Sequence, residues 1–97
     1  MNTREEVFKV LKALKPEILA SYRAKEIGLF GSFIRGEQGE ASDIDVLVDF
    51  DEKASLFDLV RLALFLEEKL NRKVDVVPKD SLRAEIRQSV LRELVVI

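Results

Sequence analysis

Residues 43–50, Asp-Ile-Asp-Val-Leu-Val-Asp-Phe, constrain this chain more than any other segment. Apolar positions recur at every second residue, which is the period of an extended strand. Ile44, Val46, Val48 and Phe50 point one way, while Asp43, Asp45, Leu47 and Asp49 point the other. A helix would scatter the same residues around its axis and bury none of them as a group. This part of the chain is therefore committed to a sheet with one apolar face.

The remaining elements follow from similar signals. Thr3-Arg4-Glu5-Glu6 has the form of a capping box, and Val7, Val10, Leu11 and Leu14 supply the apolar stripe of the helix it opens. Pro16 suits the first turn of a second short helix, with Ile18, Leu19 and Tyr22 facing inward. Glu26 to Phe30 reads as a strand that Gly31 stops, and Gly36-Glu37-Gln38-Gly39-Glu40 as a polar loop. Ser55-Leu56-Phe57-Asp58 begins a helix running to about Leu70. Lys73 to Val77 is a further strand, ended by Pro78. Asp80 or Ser81 caps a last helix with its stripe at Leu82, Ile86, Val90 and Leu94. Val95-Val96-Ile97 predicts a short terminal strand. Strands interleaved with helices give an α/β or α+β class, a small mixed sheet covered by helices on one side. Without a linker, repeat or low-complexity stretch, residues 1–97 are expected to form a single domain.

Composition narrows the chemistry. The chain has no cysteine and no histidine, so disulfides, Cys- or His-ligated zinc and Ser-His or Cys-His nucleophile pairs are excluded. Catalysis must use carboxylates, hydroxyls, lysines, arginines or a bound metal. A metal held by oxygens alone is hard, with Mg2+ or Mn2+ the first candidates. The net charge of −2 is too mild for nucleic-acid binding by bulk electrostatics. No apolar run is long enough to span a bilayer, and Met1 to Glu6 lacks the apolar stretch of a signal peptide. The expected location is the cytoplasm.

Two segments carry the chemistry. In Leu29-Phe30-Gly31-Ser32-Phe33-Ile34-Arg35-Gly36 a glycine and a hydroxyl follow a strand directly. Free backbone N–H groups at such a turn favour a phosphate, and a side chain at position 31 would obstruct its approach. Taken alone, Gly-Ser is common, and a plain strand-to-helix turn is the better reading of it. In Ser42-Asp43-Ile44-Asp45, two carboxylates share one side of a strand, which is unfavourable unless a cation or solvent compensates them. A solvated strand face accounts for the same pattern, and Asp49 belongs to that face. Asp75 shifts the balance, because an aspartate between Val74 and Val76 has poor strand propensity, although a surface-facing aspartate on an edge strand accounts for it too. If its strand lies beside residues 43–50, three carboxylates converge and can hold two divalent ions for an in-line phosphoryl displacement.

Together these residues resemble a known family. Gly31-Ser32, ten intervening residues, then Asp43-x-Asp45, with Asp75 as a third acidic residue, is similar to the signature of polymerase-β-like nucleotidyltransferases. The fuller strings, including Lys73-Val74-Asp75-Val76-Val77-Pro78, resemble its minimal nucleotidyltransferase branch over nearly the whole chain. The resemblance implies that Gly31 and Ser32 cradle the β- and γ-phosphates of a nucleoside triphosphate. It implies that Asp43 and Asp45 bind both metal ions, and that Asp75 completes one metal and acts as base. Arg35 either assists the phosphates or forms an ion pair that fixes the turn. Members of this branch are typically antitoxins that transfer AMP from ATP to a tyrosine of a HEPN-type ribonuclease toxin encoded by the adjacent gene.

Two features fit such a role. A domain of this size is too small to include the second domain with which larger nucleotidyltransferases hold base and acceptor, so a partner is expected to supply part of the acceptor site. Leu56 to Leu66 is apolar except at Asp58 and Arg61, and a helix apolar nearly all round suits a second covering: a partner or another copy of the chain. A core helix shielded by the terminal helices accounts for the same composition. Two alternatives to adenylyl transfer stand beside it. One is an antitoxin that neutralises by occlusion alone, and the other is nucleotidyl transfer to a different acceptor, such as a small molecule or a tRNA end. Arg83, Arg87 and Arg92 are interleaved with Glu85 and Glu93 and read as a solvated face rather than a nucleic-acid surface.

Overall fold

A computed structural model describes residues 3–36 and 43–97. The first helix, α1 (Arg4–Ser21), starts at the capping box: the Glu6 N–H donates to Thr3 Oγ1 and the Thr3 N–H donates to Glu6 Oε1, both at 3.2 Å. Contrary to the expectation of a second helix at Pro16, α1 runs straight through that residue. Proline forfeits one backbone hydrogen bond there. The apolar stripe nevertheless continues in phase across it, from Val7 and Leu11 through Leu14 to Ile18, with Val7, Leu11 and Ile18 buried. Tertiary burial of one continuous face outweighs the local penalty.

Strand β1 (Ala24–Phe30) begins two residues before the expected Glu26, is followed by the single-turn helix α2 (Ser32–Arg35), and pairs antiparallel with β2 (Ile44–Phe50). Helix α3 (Leu56–Leu70) leads to β3 (Val74–Pro78), which pairs parallel with β2. A 3-10 turn (Lys79–Ser81), helix α4 (Ala84–Glu93) and strand β4 (Val95–Val96) complete the chain. The sheet order is β3-β2-β1-β4, with β4 antiparallel to β1 as its far edge. The expected terminal strand therefore forms, and the Ile97 N–H extends it by donating to the Ile27 carbonyl at 3.0 Å. Of the polar loop expected at Gly36–Glu40, Gly36 ends α2 in the left-handed conformation at φ +76°, and residues 37–40 lie outside the described part.

The alternation of β2 is realised on both faces. Ile44, Val46 and Val48 are fully buried with Leu11 and Ile18 of α1 and Leu62 and Leu66 of α3. On the opposite face Leu47 is buried in a second, smaller cluster with Leu82 and Val90, against which Phe30, Val77 and Leu94 pack. The sheet is thus covered on part of its second face too, by the 79–94 segment, and not on one side only. That cluster also explains why neither Asp80 nor Ser81 caps α4. Leu82 is extended (ψ 130°) and buried, so the helix begins only after Arg83, and the Ser81 hydroxyl donates to the Pro78 carbonyl at 2.9 Å. Within the expected stripe, Val90 is buried and Leu94 half-buried, but Ile86 faces solvent.

Helix α3 divides as its composition suggests. Leu62, Leu66 and Leu70 are fully buried, whereas Leu56, Phe57, Val60 and Leu64 are exposed. Asp58 is buried beneath the first turn, where it accepts from the Ser55 N–H at 2.9 Å and pairs with Arg61 at 3.4 Å. No helix among the described residues is long and apolar enough to cross a membrane.

Candidate active site

The site forms where β1 ends beside the start of β2. Gly31 follows β1 with φ +85° and ψ −163°, a conformation essentially restricted to glycine. Its carbonyl accepts from the N–H groups of Ile34 and Arg35, both at 3.1 Å, which closes the turn of α2. A Cβ at position 31 would overlap Asp45 Oδ2 and lie 3.0 Å from Asp45 Cγ. Glycine is therefore required here for a carboxylate of the protein itself, in addition to any phosphate. The N–H groups of Ser32 and Phe33, at the head of α2, have no acceptor within the helix ladder.

The strand register decides the arrangement of the acids. Asp45 on β2 is paired directly with Asp75 on β3, and Phe30, the residue before Gly31, is paired with Asp45. Asp43 stands two residues before Asp45, so strand alternation directs it to the same face. Asp45 is half-buried, while Asp43 and Asp75 are exposed. Burial raises the Asp45 carboxyl above its ordinary range, and the charges of Asp75 and Asp43 raise it further; Arg35 opposes the shift and Glu93 adds to it. Asp49 stands apart from this group, 4.0 Å from Lys25 across the β1–β2 pair.

The chemistry of the donors suits a hard divalent cation. All are carboxylates, and the central one is disfavoured as an anion by the two beside it. Among the described residues no three acidic side chains come close enough to ligate one ion together. Strand register sets Asp45 beside Asp75, and the charges of both Asp75 and Asp43 act on Asp45.

Arg35 is held by Glu93, the last residue of α4. Its Nη1 lies 3.1 Å from Glu93 Oε1 and 3.0 Å from Oε2. Glu93 Oε1 also accepts from the Gly31 N–H at 2.9 Å, so that backbone donor is already engaged. The ion-pair role expected as one alternative for Arg35 is therefore realised. Glu93, by contrast, reads in the sequence as part of a solvated face, and this reading is corrected. The signal lay in the terminal strand: once Val95 pairs with Leu29, the antiparallel register brings Glu93 level with Gly31.

The fold and this turn-and-carboxylate arrangement define a nucleotide-transferring class of protein. The nucleotidyltransferase domain family matches residues 6–97, and the chain belongs to that family. It is similar to the protein adenylyltransferase MntA of Thermococcus cleftensis, with 46% identity over 95 residues, covering 98% of this chain and 96% of that protein. A solved structure described as a minimal nucleotidyltransferase superposes with a TM-score of 0.75 at 38% identity, covering 95% of this chain and 89% of the other. A toxin–antitoxin complex with AMP-PNP superposes with a TM-score of 0.68 at 27% identity, covering 95% and 69% respectively. The minimal nucleotidyltransferase fold, with its small mixed sheet and helices, is thereby established.

Proposed function

We propose that this chain is an antitoxin that transfers AMP from ATP to a tyrosine of a HEPN-type ribonuclease toxin encoded by the adjacent gene. The observation that carries the reading is the direct pairing of Asp45 with Asp75 behind a glycine that only an absent side chain lets Asp45 approach. The similarity to a protein adenylyltransferase and to a complex containing an ATP analogue supports it.

In this reading Asp43, Asp45 and Asp75 hold Mg2+ or Mn2+, which when bound neutralises charge on the reacting phosphate and the leaving group. Gly31 and Ser32 shape the seat of the β- and γ-phosphates, with the Ser32 hydroxyl and the first N–H groups of α2 as donors. Asp75, exposed at the rim of the trio, takes the proton of the attacking hydroxyl. The hydroxyl oxygen bonds to the α-phosphorus, the bond from that phosphorus to the β-bridging oxygen breaks, and pyrophosphate leaves with the electron pair. Arg35 stabilises the turn through Glu93 and lends its charge to the phosphate side of Asp45.

The exposed row Leu56, Phe57, Val60 and Leu64 on α3 favours a protein partner or a second copy of the chain, and it serves neutralisation by occlusion equally well. The two mechanisms separate in one experiment, carried out on the pair copurified from the cytoplasm of an expression host. ATP labelled at the α-phosphate and Mg2+ are added, and label is sought on the partner. Transfer by wild type that Asp45→Asn abolishes supports adenylylation. Inhibition of the partner without any labelling favours occlusion, and labelling that survives the substitution excludes the metal assignment.

A further inference from the structure

Glu93 lies 62 residues from Gly31 in sequence, yet its carboxylate meets the turn at three points. It accepts from the Gly31 N–H at 2.9 Å and from Arg35 Nη1 at 3.1 Å and 3.0 Å. The surrounding segment is built to hold it there. The terminal strand pairs with β1 at Gly28 and Leu29, and Leu94 packs over Gly28, where a Cβ would lie 2.7 Å from Leu94 Cδ1. The Ile97 carbonyl accepts from Lys15 Nζ at 2.7 Å, which fastens the chain end to α1. Glu93 is thus delivered to the turn by a segment anchored on both sides. Its side chain is only 25% exposed, so its charge-assisted bonds are less screened than those of a free surface pair.

We propose that Glu93 is a positioning residue for the nucleotide turn. One carboxylate satisfies the Gly31 N–H and parks the Arg35 guanidinium, which holds Gly31 in its positive-φ conformation against Asp45 and keeps Arg35 from collapsing onto the carboxylate trio. The proposal rests on the reading of this site as a nucleotidyl-transfer centre. Gly31 contributes shape to that centre, because its donor is spent on Glu93. Among the described residues, the α2 ladder leaves the Ser32 and Phe33 N–H groups for phosphate.

The test uses Glu93→Ala, Glu93→Gln, Arg35→Ala and the double variant Glu93→Ala with Arg35→Ala, each copurified with the partner. Glu93→Ala raises KM for ATP about tenfold, the effect of losing a charge-assisted hydrogen bond, while kcat falls less. Glu93→Gln recovers part of that loss, since the amide oxygen still accepts from Gly31. The double variant is no worse than Glu93→Ala alone, because Arg35 reaches the turn through the Glu93 carboxylate that Glu93→Ala already removes. Hydrogen exchange at the Gly31 amide, followed by NMR, accelerates in Glu93→Ala and stays slow in Glu93→Gln.

A residue that merely anchors the terminal segment would lower Tm and leave KM unchanged, and that result overturns the proposal. So does a fall in KM, which would mean that Glu93 competes with the phosphates for the turn. Additive losses in the double variant also overturn it. If wild type transfers no AMP, the functional reading fails by itself, while affinity for a fluorescent ATP analogue and the Gly31 exchange rate still decide the role of Glu93.

Discussion

Replacing Gly31 by alanine, with Gly36→Ala as its comparison, isolates what the close approach to Asp45 contributes. Both glycines have positive φ, +85° and +76°, so both substitutions incur a backbone penalty. For alanine in the left-handed region that penalty is about 1–2 kcal/mol. The two sites differ in surroundings: among the described residues nothing lies within 4 Å of a Cβ at Gly36, whereas a Cβ at Gly31 overlaps Asp45 Oδ2 and approaches Cγ at 3.0 Å. Gly31 also sits in a φ/ψ region where a non-glycine residue costs about 1–3 kcal/mol before any clash. Rotating the Asp45 carboxylate would relieve the overlap with Oδ2, but Asp45 Cβ, fixed by the strand register, would still lie 3.2 Å from the added Cβ. Backbone strain of about 1–3 kcal/mol and overpacking of about 1–3 kcal/mol against Asp45 give about 2–6 kcal/mol at Gly31, against about 1–2 kcal/mol at Gly36.

For a domain of this size, each kcal/mol lowers Tm by about 4–8 °C. Thermal unfolding followed by circular dichroism should therefore show a larger drop for Gly31→Ala than for Gly36→Ala. Transfer of labelled AMP to the partner should fall by about 100-fold or more in Gly31→Ala, since a displacement of about 1 Å at a reacting group has that effect. It should fall less in Gly36→Ala, where the added Cβ meets no described atom within 4 Å. Equal Tm losses, or a Gly31→Ala protein that transfers AMP as wild type does, would refute the claim that this glycine exists to admit Asp45.

Other outcomes follow from the same contacts. Without metal, Asp45→Asn should raise Tm at neutral pH. The folded-state carboxyl titrates above its unfolded value, so Asp45 favours folding at low pH and this contribution is lost as pH rises through the folded-state value; the gain from asparagine should vanish below about pH 4, and a Tm difference independent of pH would contradict it. Leu66→Ala empties a fully buried position and should cost about 2–5 kcal/mol by urea unfolding. Phe57→Ser, at a residue 80% exposed, should change stability by less than about 0.5 kcal/mol while weakening copurification with the partner. Pro16→Ala restores a donor inside α1 and should raise stability by about 1–3 kcal/mol; a loss would mean that the proline stiffens the unfolded chain more than it harms the helix.

Local chemistry was readable from the sequence wherever near neighbours decide the outcome. The capping group at Thr3, the start of α3 at Ser55 and the alternation of β2 each depend on residues within a few positions, and each forms as expected. Features set by distant packing were not readable. Pro16 signals a helix start, but the in-phase stripe from Leu11 to Ile18 keeps the helix whole. Asp80 and Ser81 have the chemistry of helix caps, but burial of Leu82 against Leu47 and Val90 delays the helix. Glu93 escaped notice because its role exists only once β4 has paired with β1. The Asp45–Asp75 pairing lies between these cases: residue identity suggested it, and the parallel register between β2 and β3 realises it.

The central claim is that Asp43, Asp45 and Asp75 hold the metal beside a triphosphate seated at Gly31 and Ser32. Its most direct test is paramagnetic broadening of backbone amides by Mn2+ in the presence of a non-hydrolysable ATP analogue. Broadening centred on residues 31–32, 43–45 and 75, and abolished by Asp45→Asn, is the result this account predicts. Broadening centred on the acidic pair Glu67 and Glu68 of α3, or unaffected by Asp45→Asn, would contradict it.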